Sequence, residues 1–154
     1  MAKPDTAGVI APPPLIFLTG LLVGYGLEYL SPSLSLPNDI GYPLGGLLGL
    51  IGAAAALPAL LGFRRAGTSP EPWHPSTALV TNGLYRYTRN PMYVGMALIC
   101  LGITAAFGGV WMFAALLPTL MAMQYGVILR EERYLEAKFG EAYRDYRASV
   151  RRWI

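Results

Sequence analysis

Polar side chains that could bind a ligand are concentrated at two places in an otherwise apolar chain. Arg89 stands directly before an apolar segment, and Glu131 and Glu132 follow the last apolar segment. Three aromatic residues lie close to Arg89 in the sequence: Tyr85, Tyr87 and Tyr93. A guanidinium and carboxylates beside tyrosine rings suit a ligand that carries a carboxylate, an ammonium group and a further positive charge.

The position of Arg89 predicts an anion site. Asn90 and Pro91 predict the start of a helix, with Asn90 as the N-cap and Pro91 as the first helical residue. Capping does not account for Arg89, because an arginine at a helix N-terminus opposes the helix dipole. A bound anion there is stabilised by the dipole, by the free N–H groups and by Arg89. Anchoring of Arg89 at lipid headgroups is the alternative.

The acidic pair lies on a helix that is predicted to run to Phe139, with Gly140 as its stop. Adjacent helical residues point about 100° apart, so only one of Glu131 and Glu132 can face Arg89 squarely. The other is expected to pair with Lys138 or a neighbouring arginine, which is worth at most about 0.5 kcal/mol. Taken alone, an acidic pair at a membrane boundary is commonly solvated, so its meaning depends on Arg89 being close.

Composition indicates that lipid is the main solvent of the chain. Hydrophobic residues make up 54% of the 154 residues and charged residues 14%, against about 25% charged in a soluble domain. The net charge of +3 is too small to indicate a nucleic-acid partner. The single cysteine, Cys100, lies within an apolar segment and excludes an internal disulfide and a cysteine-based metal cluster, so no metal site is expected.

Four apolar segments predict an all-α, polytopic membrane protein that forms a single domain over residues 1–154. The four predicted spans are residues 15–30, 40–63, 92–107 and 110–129. The first gives about 24 Å of helix, and no cleavage site follows it, which favours a span over a cleaved signal peptide. Only Gly108 and Gly109 separate the last two spans, which predicts an antiparallel hairpin that brings Arg89 and the acidic pair to one surface.

The cations predict which side of the membrane this surface faces. Lys3 precedes the first span, four arginines lie in the loop of residues 64–90, and the other seven cations follow the fourth span. The other two connections carry none, so the positive-inside rule places both termini and the 64–90 loop in the cytoplasm. We expect a multi-pass protein of a prokaryotic inner membrane with an oligomeric state that the sequence leaves open.

Glycines predict close helix packing. Gly20 and Gly24 recur at four-residue spacing on the first span, as do Gly41, Gly45 and Gly49 on the second. Such faces let helices approach closely in lipid. A nucleotide-binding loop is not predicted, because no strand pattern precedes these glycines and the G-x-G-x-x-G motif does not occur.

The residues after Gly140 predict a basic amphipathic helix. Tyr143, Tyr146, Val150 and Trp153 recur at helical spacing among arginines. This C-terminal helix is expected to lie on the anionic inner leaflet, and it could also cover the site as a lid.

Together these motifs resemble the isoprenylcysteine carboxyl methyltransferase and phospholipid methyltransferase group of integral membrane enzymes. The resemblance covers about residues 79–146. Its marks, in order, are Leu79-Val80, Gly83-x-Tyr85, Arg89-Asn90-Pro91-x-Tyr93-x-Gly95, the glycine-turned hairpin, Glu131-Glu132, and Phe139-Gly140 followed by Tyr143 and Tyr146. It implies an S-adenosylmethionine-dependent methyltransferase, with the methyl donor on the cytoplasmic side beneath the C-terminal segment and a lipid-accessible opening for the acceptor.

The resemblance also implies roles for individual residues in the cofactor-binding half, about residues 79–147. The implied cofactor-binding residues are Leu79, Val80, Gly83, Tyr85, Arg89, Asn90, Pro91, Tyr93, Glu131 and Glu132. The implied catalytic residues are Arg89, Glu131 and Glu132. Eukaryotic members usually have His at the positions of Asn90 and Thr77, and these departures concern the acceptor more than the donor. His74, the only histidine, is expected to be an ordinary loop residue.

The acceptor and two other functions stay open at this stage. A carboxylate acceptor of the isoprenylcysteine type would be held by Arg89 or Arg133, whereas a lipid amine or a small thiol would lose its proton to Glu131 or Glu132. An NADPH-dependent reductase of the sterol-reductase type would need the arginine face formed by Arg144, Arg147 and Arg151. A small four-span exporter would use Glu28, the only charge within a predicted span, as its ion-coupled site.

Overall fold

A computed structural model describes residues 5–154, and over that range the chain is all-helical, with two isolated β-bridges as its only β pairings. The six α-helices are α1 (Pro13–Leu30), α2 (Asn38–Arg65), α3 (Pro91–Phe107), α4 (Val110–Met123), α5 (Leu129–Phe139) and α6 (Glu141–Ser149). A π-helical turn, Gln124–Ile128, joins α4 and α5 into one rod. The predicted all-α class is confirmed for these residues, and Lys3 lies outside them.

Each predicted apolar segment is helical. The helices α1, α2 and the rod Val110–Phe139 are long and apolar enough to cross a membrane, whereas α3 is apolar but has 17 residues. The bounds of α1, α2 and α3 fall within two residues of the predicted spans. The rod continues to Phe139, as predicted, and Gly140 ends it with a φ of 56° that favours glycine.

The helices pack in two pairs, α2 against α3 and α1 against α4. The predicted turn at Gly108 and Gly109 is present, but α3 and α4 make few contacts with each other beyond it. Their separation leaves an apolar groove between α3 and α4. The hairpin therefore sets the chain direction, while the partner of each of its helices comes from an earlier part of the chain.

Glycines allow the close approach of α2 and α3, though with one change from the prediction. A Cβ atom at Gly45 would lie 2.5 Å from the carbonyl oxygen of Gly102, and one at Gly52 would lie 2.6 Å from that of Gly95. A Cβ atom at Gly49 would meet nothing within 4 Å, so the approach does not need a glycine there, although the backbone nitrogen of Gly49 would lie 3.0 Å from a Cβ at Gly102. The predicted Gly41, Gly45 and Gly49 face is therefore wrong at its last position, where Gly52 takes the role.

Glu28 lies at the end of α1 and ties two connections together. Its carboxylate accepts hydrogen bonds from the backbone N–H and the hydroxyl of Ser33, at 2.5 and 2.9 Å, and from the backbone N–H of Trp111 at 3.3 Å. These bonds link the loop after α1 to the first turn of α4. They account for the acidic residue structurally and lend no support to an exporter.

The predicted C-terminal helix is shorter than its residue spacing suggested. The helix α6 ends at Ser149, and Val150 has extended backbone angles (φ −125°, ψ 135°). The next residues cross the start of α3, where the backbone N–H of Arg89 donates to the carbonyl of Arg151 at 2.8 Å. The prediction of one helix as far as Trp153 is therefore wrong, because hydrogen bonds to α3 replace the helical ones. We call residues 150–154 the closing segment.

Candidate functional site

The start of α3 and the start of α5 meet at the charged residues that the sequence singled out. Nη2 of Arg89 lies 3.3 Å from Oε1 of Glu132, and the two side chains are only 9% and 10% exposed. Oε1 of Glu131 accepts a hydrogen bond of 2.6 Å from the hydroxyl of Tyr93. The guanidinium and both carboxylates thus belong to one cluster.

A half-enclosed cavity of about 80 Å³ lies at this cluster. Eight of the ten predicted cofactor-binding residues line it: Leu79, Val80, Tyr85, Arg89, Asn90, Tyr93, Glu131 and Glu132. The loop of residues 64–90 contributes Ser69, Pro70, Glu71 and Pro72, and α6 contributes Tyr143 and Tyr146. A concave, largely apolar site with a few convergent polar groups has the form of a small-molecule site.

The other two predicted cofactor-binding residues, Gly83 and Pro91, determine the local course of the backbone. Gly83 has a φ of 64°, which favours glycine, and begins a 3-10 turn, Gly83–Arg86. That turn presents Tyr85, which is buried. Pro91 is the first residue of α3 and is also buried. Neither residue lines the cavity.

Asn90 precedes α3 as predicted, but its side chain makes no capping hydrogen bond. The amide instead donates to the carbonyl of Arg152 in the closing segment, at 2.9 Å. The predicted capping role of the side chain is therefore wrong. Asn90 fixes the closing segment to the start of α3.

Several candidate residues lie away from the cavity. Arg133 is exposed and bonds back to the Leu129 carbonyl at 3.1 Å, so it is not placed to hold an acceptor. His74 is exposed and lies 3.0 Å from Glu71. Three further residues also lie outside the cavity lining: Thr77, Arg144 and Arg151. Arg147 is bonded to Glu136 at 2.7 Å, so the arginine face considered for a reductase does not converge on the site.

The sequence analysis missed the role of Arg152. Its Nε and Nη2 donate to the two oxygens of Glu132 at 2.8 and 2.9 Å. Lys138, the predicted partner of a glutamate, instead pairs with Asp5 at 2.6 Å. The helical spacing of the tail gave no signal for Arg152, because that residue reaches the site only where the chain leaves the helix.

Arg89 is incompletely hydrogen-bonded. Its Nε and Nη1 are buried and make no well-formed hydrogen bond within the part of the chain that the structure describes, although the Tyr143 hydroxyl lies close enough to this guanidinium to oppose the rise that burial causes in the pKa of Tyr143. Leaving a buried donor unpaired costs about 1–3 kcal/mol, and more for a charged group. The arrangement therefore favours a further acceptor at this guanidinium, such as a bound anion.

The protonation states of the cavity follow from burial. Burial, with a smaller contribution from Glu132, raises the pKa of Glu131 to about 7, although the Tyr93 hydroxyl acts in the opposite direction. Burial likewise raises the pKa of Tyr143 to about 12 and the pKa values of Tyr85 and Tyr146 further. The phenols are therefore neutral donors at neutral pH, and the Tyr146 hydroxyl donates to the carbonyl of Tyr85 at 2.7 Å.

A comparison with known protein families shows which family the chain belongs to. A family model described as phospholipid methyltransferase matches residues 40–142, which include Arg89, both glutamates and the whole of α3. The chain belongs to the phospholipid methyltransferase family. The predicted family is thereby confirmed, and the apolar helices agree with a multi-pass integral membrane protein.

Two individual proteins are similar in sequence to parts of this chain. An uncharacterised protein of Haemophilus influenzae is 38% identical over 63 residues, which are 41% of this chain and 100% of that protein. The protein-S-isoprenylcysteine O-methyltransferase of Schizosaccharomyces pombe is 38% identical over 74 residues, which are 47% of this chain and 30% of that protein.

A solved structure shows the same fold. The eukaryotic intramembrane Ras methyltransferase ICMT (isoprenylcysteine carboxyl methyltransferase) superposes with a TM-score of 0.65 at 21% identity. The match covers 92% of this chain and 51% of that one. This member of the phospholipid methyltransferase family therefore spans about half the length of the solved relative.

Proposed function

We propose that this membrane protein is an S-adenosylmethionine-dependent methyltransferase whose donor site is the cavity between α3 and α5. The observation that carries the proposal is the buried guanidinium of Arg89, with two unpartnered nitrogens, in a cavity that a carboxylate also lines. Membership of the phospholipid methyltransferase family supports it. When bound, the donor supplies a methyl group activated by a sulfonium.

The residues present fit the amino-acid end of such a donor. An unpartnered N–H of Arg89 would donate a charge-assisted hydrogen bond to its carboxylate. A carboxylate of the cavity would receive its ammonium group. The rings of Tyr85 and Tyr143 would lie beside a positive sulfonium, which aromatic faces tolerate.

Glu131 is the carboxylate that we assign to the ammonium group. Glu132 is already bound by Arg89 and Arg152. In contrast, Glu131 takes part in no ion pair among residues 5–154 and accepts one recorded hydrogen bond, from Tyr93. The two glutamates that the sequence could not distinguish thus have different surroundings and different roles.

The protein accelerates methyl transfer chiefly by orientation and by excluding water, since an in-line displacement needs no strong acid or base when the acceptor is already ionised. Tyr143 is 2% exposed and closes the cavity from the α6 side. A carboxylate that holds the donor's ammonium group is not free to act as a base, so this mechanism suits an acceptor that is already ionised. The proposed acceptor is lipophilic or small: a carboxylate of the isoprenylcysteine type, a lipid or a thiol.

We also propose that all four apolar helices cross a prokaryotic inner membrane as a single domain, residues 1–154, with the cavity on the cytoplasmic side. The distribution of cations supports this orientation. Arg64 and Arg65 end α2 at the same end of the bundle as Arg89 at the start of α3. Within this domain, we propose residues 79–147 as the cofactor-binding half.

Ligand-dependent thermal stability tests the assignment. We expect S-adenosylhomocysteine to raise the melting temperature of the detergent-purified protein, because a ligand at about 100 times its Kd stabilises the folded state by about 2.7 kcal/mol. NADPH and a cationic dye, tested under the same conditions, should leave it unchanged. A shift with NADPH alone would favour the reductase, and a shift with the dye alone the exporter.

The affinity for S-adenosylhomocysteine should depend on pH through Glu131. Burial places the pKa of this carboxyl at about 7, and only the ionised form attracts an ammonium group. Affinity should therefore rise with pH through this range and level off about tenfold lower once the carboxyl is protonated. Isothermal titration calorimetry from about pH 5.5 to about pH 8 measures the effect.

The variant Glu131→Gln should bind about tenfold more weakly at pH 8 and lose the dependence on pH, because a neutral amide cannot be protonated in this range. Glu141→Gln is the matched control, since Glu141 is exposed on α6 and does not line the cavity. An unchanged pH profile in Glu131→Gln would assign the titration to another group.

A further inference from the structure

Arg152 holds the carboxylate of Glu132 by both oxygens. Nε donates to Oε1 at 2.8 Å and Nη2 donates to Oε2 at 2.9 Å. This paired contact is the strongest arrangement open to a guanidinium and a carboxylate. Burial favours it, because the Glu132 side chain is only 10% exposed.

The contact limits what Arg89 can share with Glu132. Arg89 reaches Oε1 through Nη2 alone, at 3.3 Å, while its Nε and Nη1 have no partner within the described residues. Without the Arg152 guanidinium, the carboxylate of Glu132 would be free to turn and accept from a second nitrogen of Arg89. It would then compete with any ligand for those nitrogens.

We propose that Arg152 is a positioning residue: by occupying Glu132, it keeps Arg89 available for the carboxylate of the ligand. This inference rests on the proposed methyl-donor site. It assigns to the closing segment a role in recognising the amino-acid end of the donor. Recognition of the adenosine part should not depend on Arg152.

The charge balance of the cluster agrees with this role. Arg89 and Arg152 carry two positive charges against the one negative charge of Glu132. The three side chains therefore leave one positive charge in surroundings where Arg89 is 9% exposed, and such a charge favours an anion. Loss of the Arg152 charge would leave no net charge on the other two of these three side chains and weaken that attraction.

Other bonds hold the closing segment in place without the Arg152 side chain. The carbonyl of Arg152 accepts from the Asn90 amide at 2.9 Å and from the Thr88 hydroxyl at 3.1 Å. The indole N–H of Trp153 donates to Oε1 of Gln124 at 3.0 Å. A substitution of Arg152 should therefore remove the guanidinium and leave the backbone where it is.

Two ligands separate positioning from general damage to the cavity. S-Adenosylhomocysteine carries the amino-acid carboxylate, whereas 5′-methylthioadenosine has the same adenosine and sulfur but lacks the amino-acid part. By isothermal titration calorimetry in detergent, we expect Arg152→Ala to weaken the first ligand by about tenfold or more. The affinity for the second should stay within about twofold of the wild-type value.

Matched variants complete the test. Arg151→Ala removes an exposed neighbour whose side chain lies outside the cavity lining, so it should leave both affinities unchanged. Arg152→Lys keeps the charge but not the paired contact, so it should bind S-adenosylhomocysteine with intermediate affinity. Arg152→Lys also serves as the test variant if Arg152→Ala does not fold.

Two results would overturn the positioning role. One is an unchanged affinity of the Arg152 variants for S-adenosylhomocysteine, and the other is an equal loss for both ligands. If the wild-type protein binds neither ligand, the methyl-donor site itself is wrong, and the role of Arg152 fails with it. The wild-type titration thus distinguishes failure of the proposed function from failure of this inference alone.

Discussion

Replacement of Arg89 by alanine is expected to reduce the affinity for S-adenosylhomocysteine by about tenfold to 100-fold, because it removes a charge-assisted hydrogen bond worth about 1.5–3 kcal/mol. The fold should survive, since Glu132 keeps its paired contact with Arg152. Isothermal titration calorimetry measures the affinity, and the melting temperature without ligand reports on the fold.

Two further variants make the result specific. Arg89→Lys retains the charge but not the planar set of guanidinium donors, so it should recover only part of the lost affinity. Arg86→Ala removes an exposed arginine from the same loop and should bind as the wild type does. Equal affinity of Arg89→Ala and Arg86→Ala would remove Arg89 from the donor site.

Gly95→Ala is expected to have the largest effect on the bundle itself. A Cβ atom there would lie 2.5 Å from the carbonyl oxygen of Gly52 and 2.7 Å from the backbone nitrogen of Ala56. Both are backbone atoms of α2, so neither can turn away. The two helices must separate, at a cost of about 1–3 kcal/mol in the free energy of unfolding.

The same change should weaken donor binding. Tyr93 lies in the first turn of α3 and Arg89 lies just before that helix, so a shift of α3 would move both. Gly49→Ala is the control, since no heavy atom lies within 4 Å of its added Cβ. Thermal unfolding and ligand affinity should separate the two variants clearly. Similar melting temperatures would show that α2 and α3 tolerate a wider spacing.

The helices and the place of the site could be read from the sequence for physical reasons. Lipid demands long apolar segments, and their ends are visible in composition alone. Asn90 and Pro91 fixed the start of α3, and Gly140 fixed the end of α5. The two-glycine turn then required that Arg89 and the acidic pair lie at the same end of the bundle.

The faces of the helices could not be read in the same way. Apolar residues surround the spans on all sides, so hydrophobic periodicity did not show that Gly52, rather than Gly49, faces α3. The π-helical turn before α5 also escaped prediction. An extra residue in a helical turn rotates the following face by about 100°, which is the angle that separates Glu131 from Glu132.

The extended conformation of the closing segment depends on contacts with residues that are distant in sequence. Its aromatic spacing is compatible with a helix, and hydrogen bonds to Thr88, Arg89, Asn90 and Gln124 make the extended form favourable. Local pattern carries no information about such partners. The role of Arg152 therefore became visible only once the start of α3 and the end of the chain were placed side by side.

Transfer of a labelled methyl group tests the central claim most directly. The purified protein, given S-adenosylmethionine labelled in its methyl group and a membrane lipid extract, should place the label on an extracted molecule that mass spectrometry can identify. Arg89→Ala should transfer none under the same conditions. Failure of the wild-type protein to bind S-adenosylhomocysteine, together with no transfer to any extracted acceptor, would contradict the account.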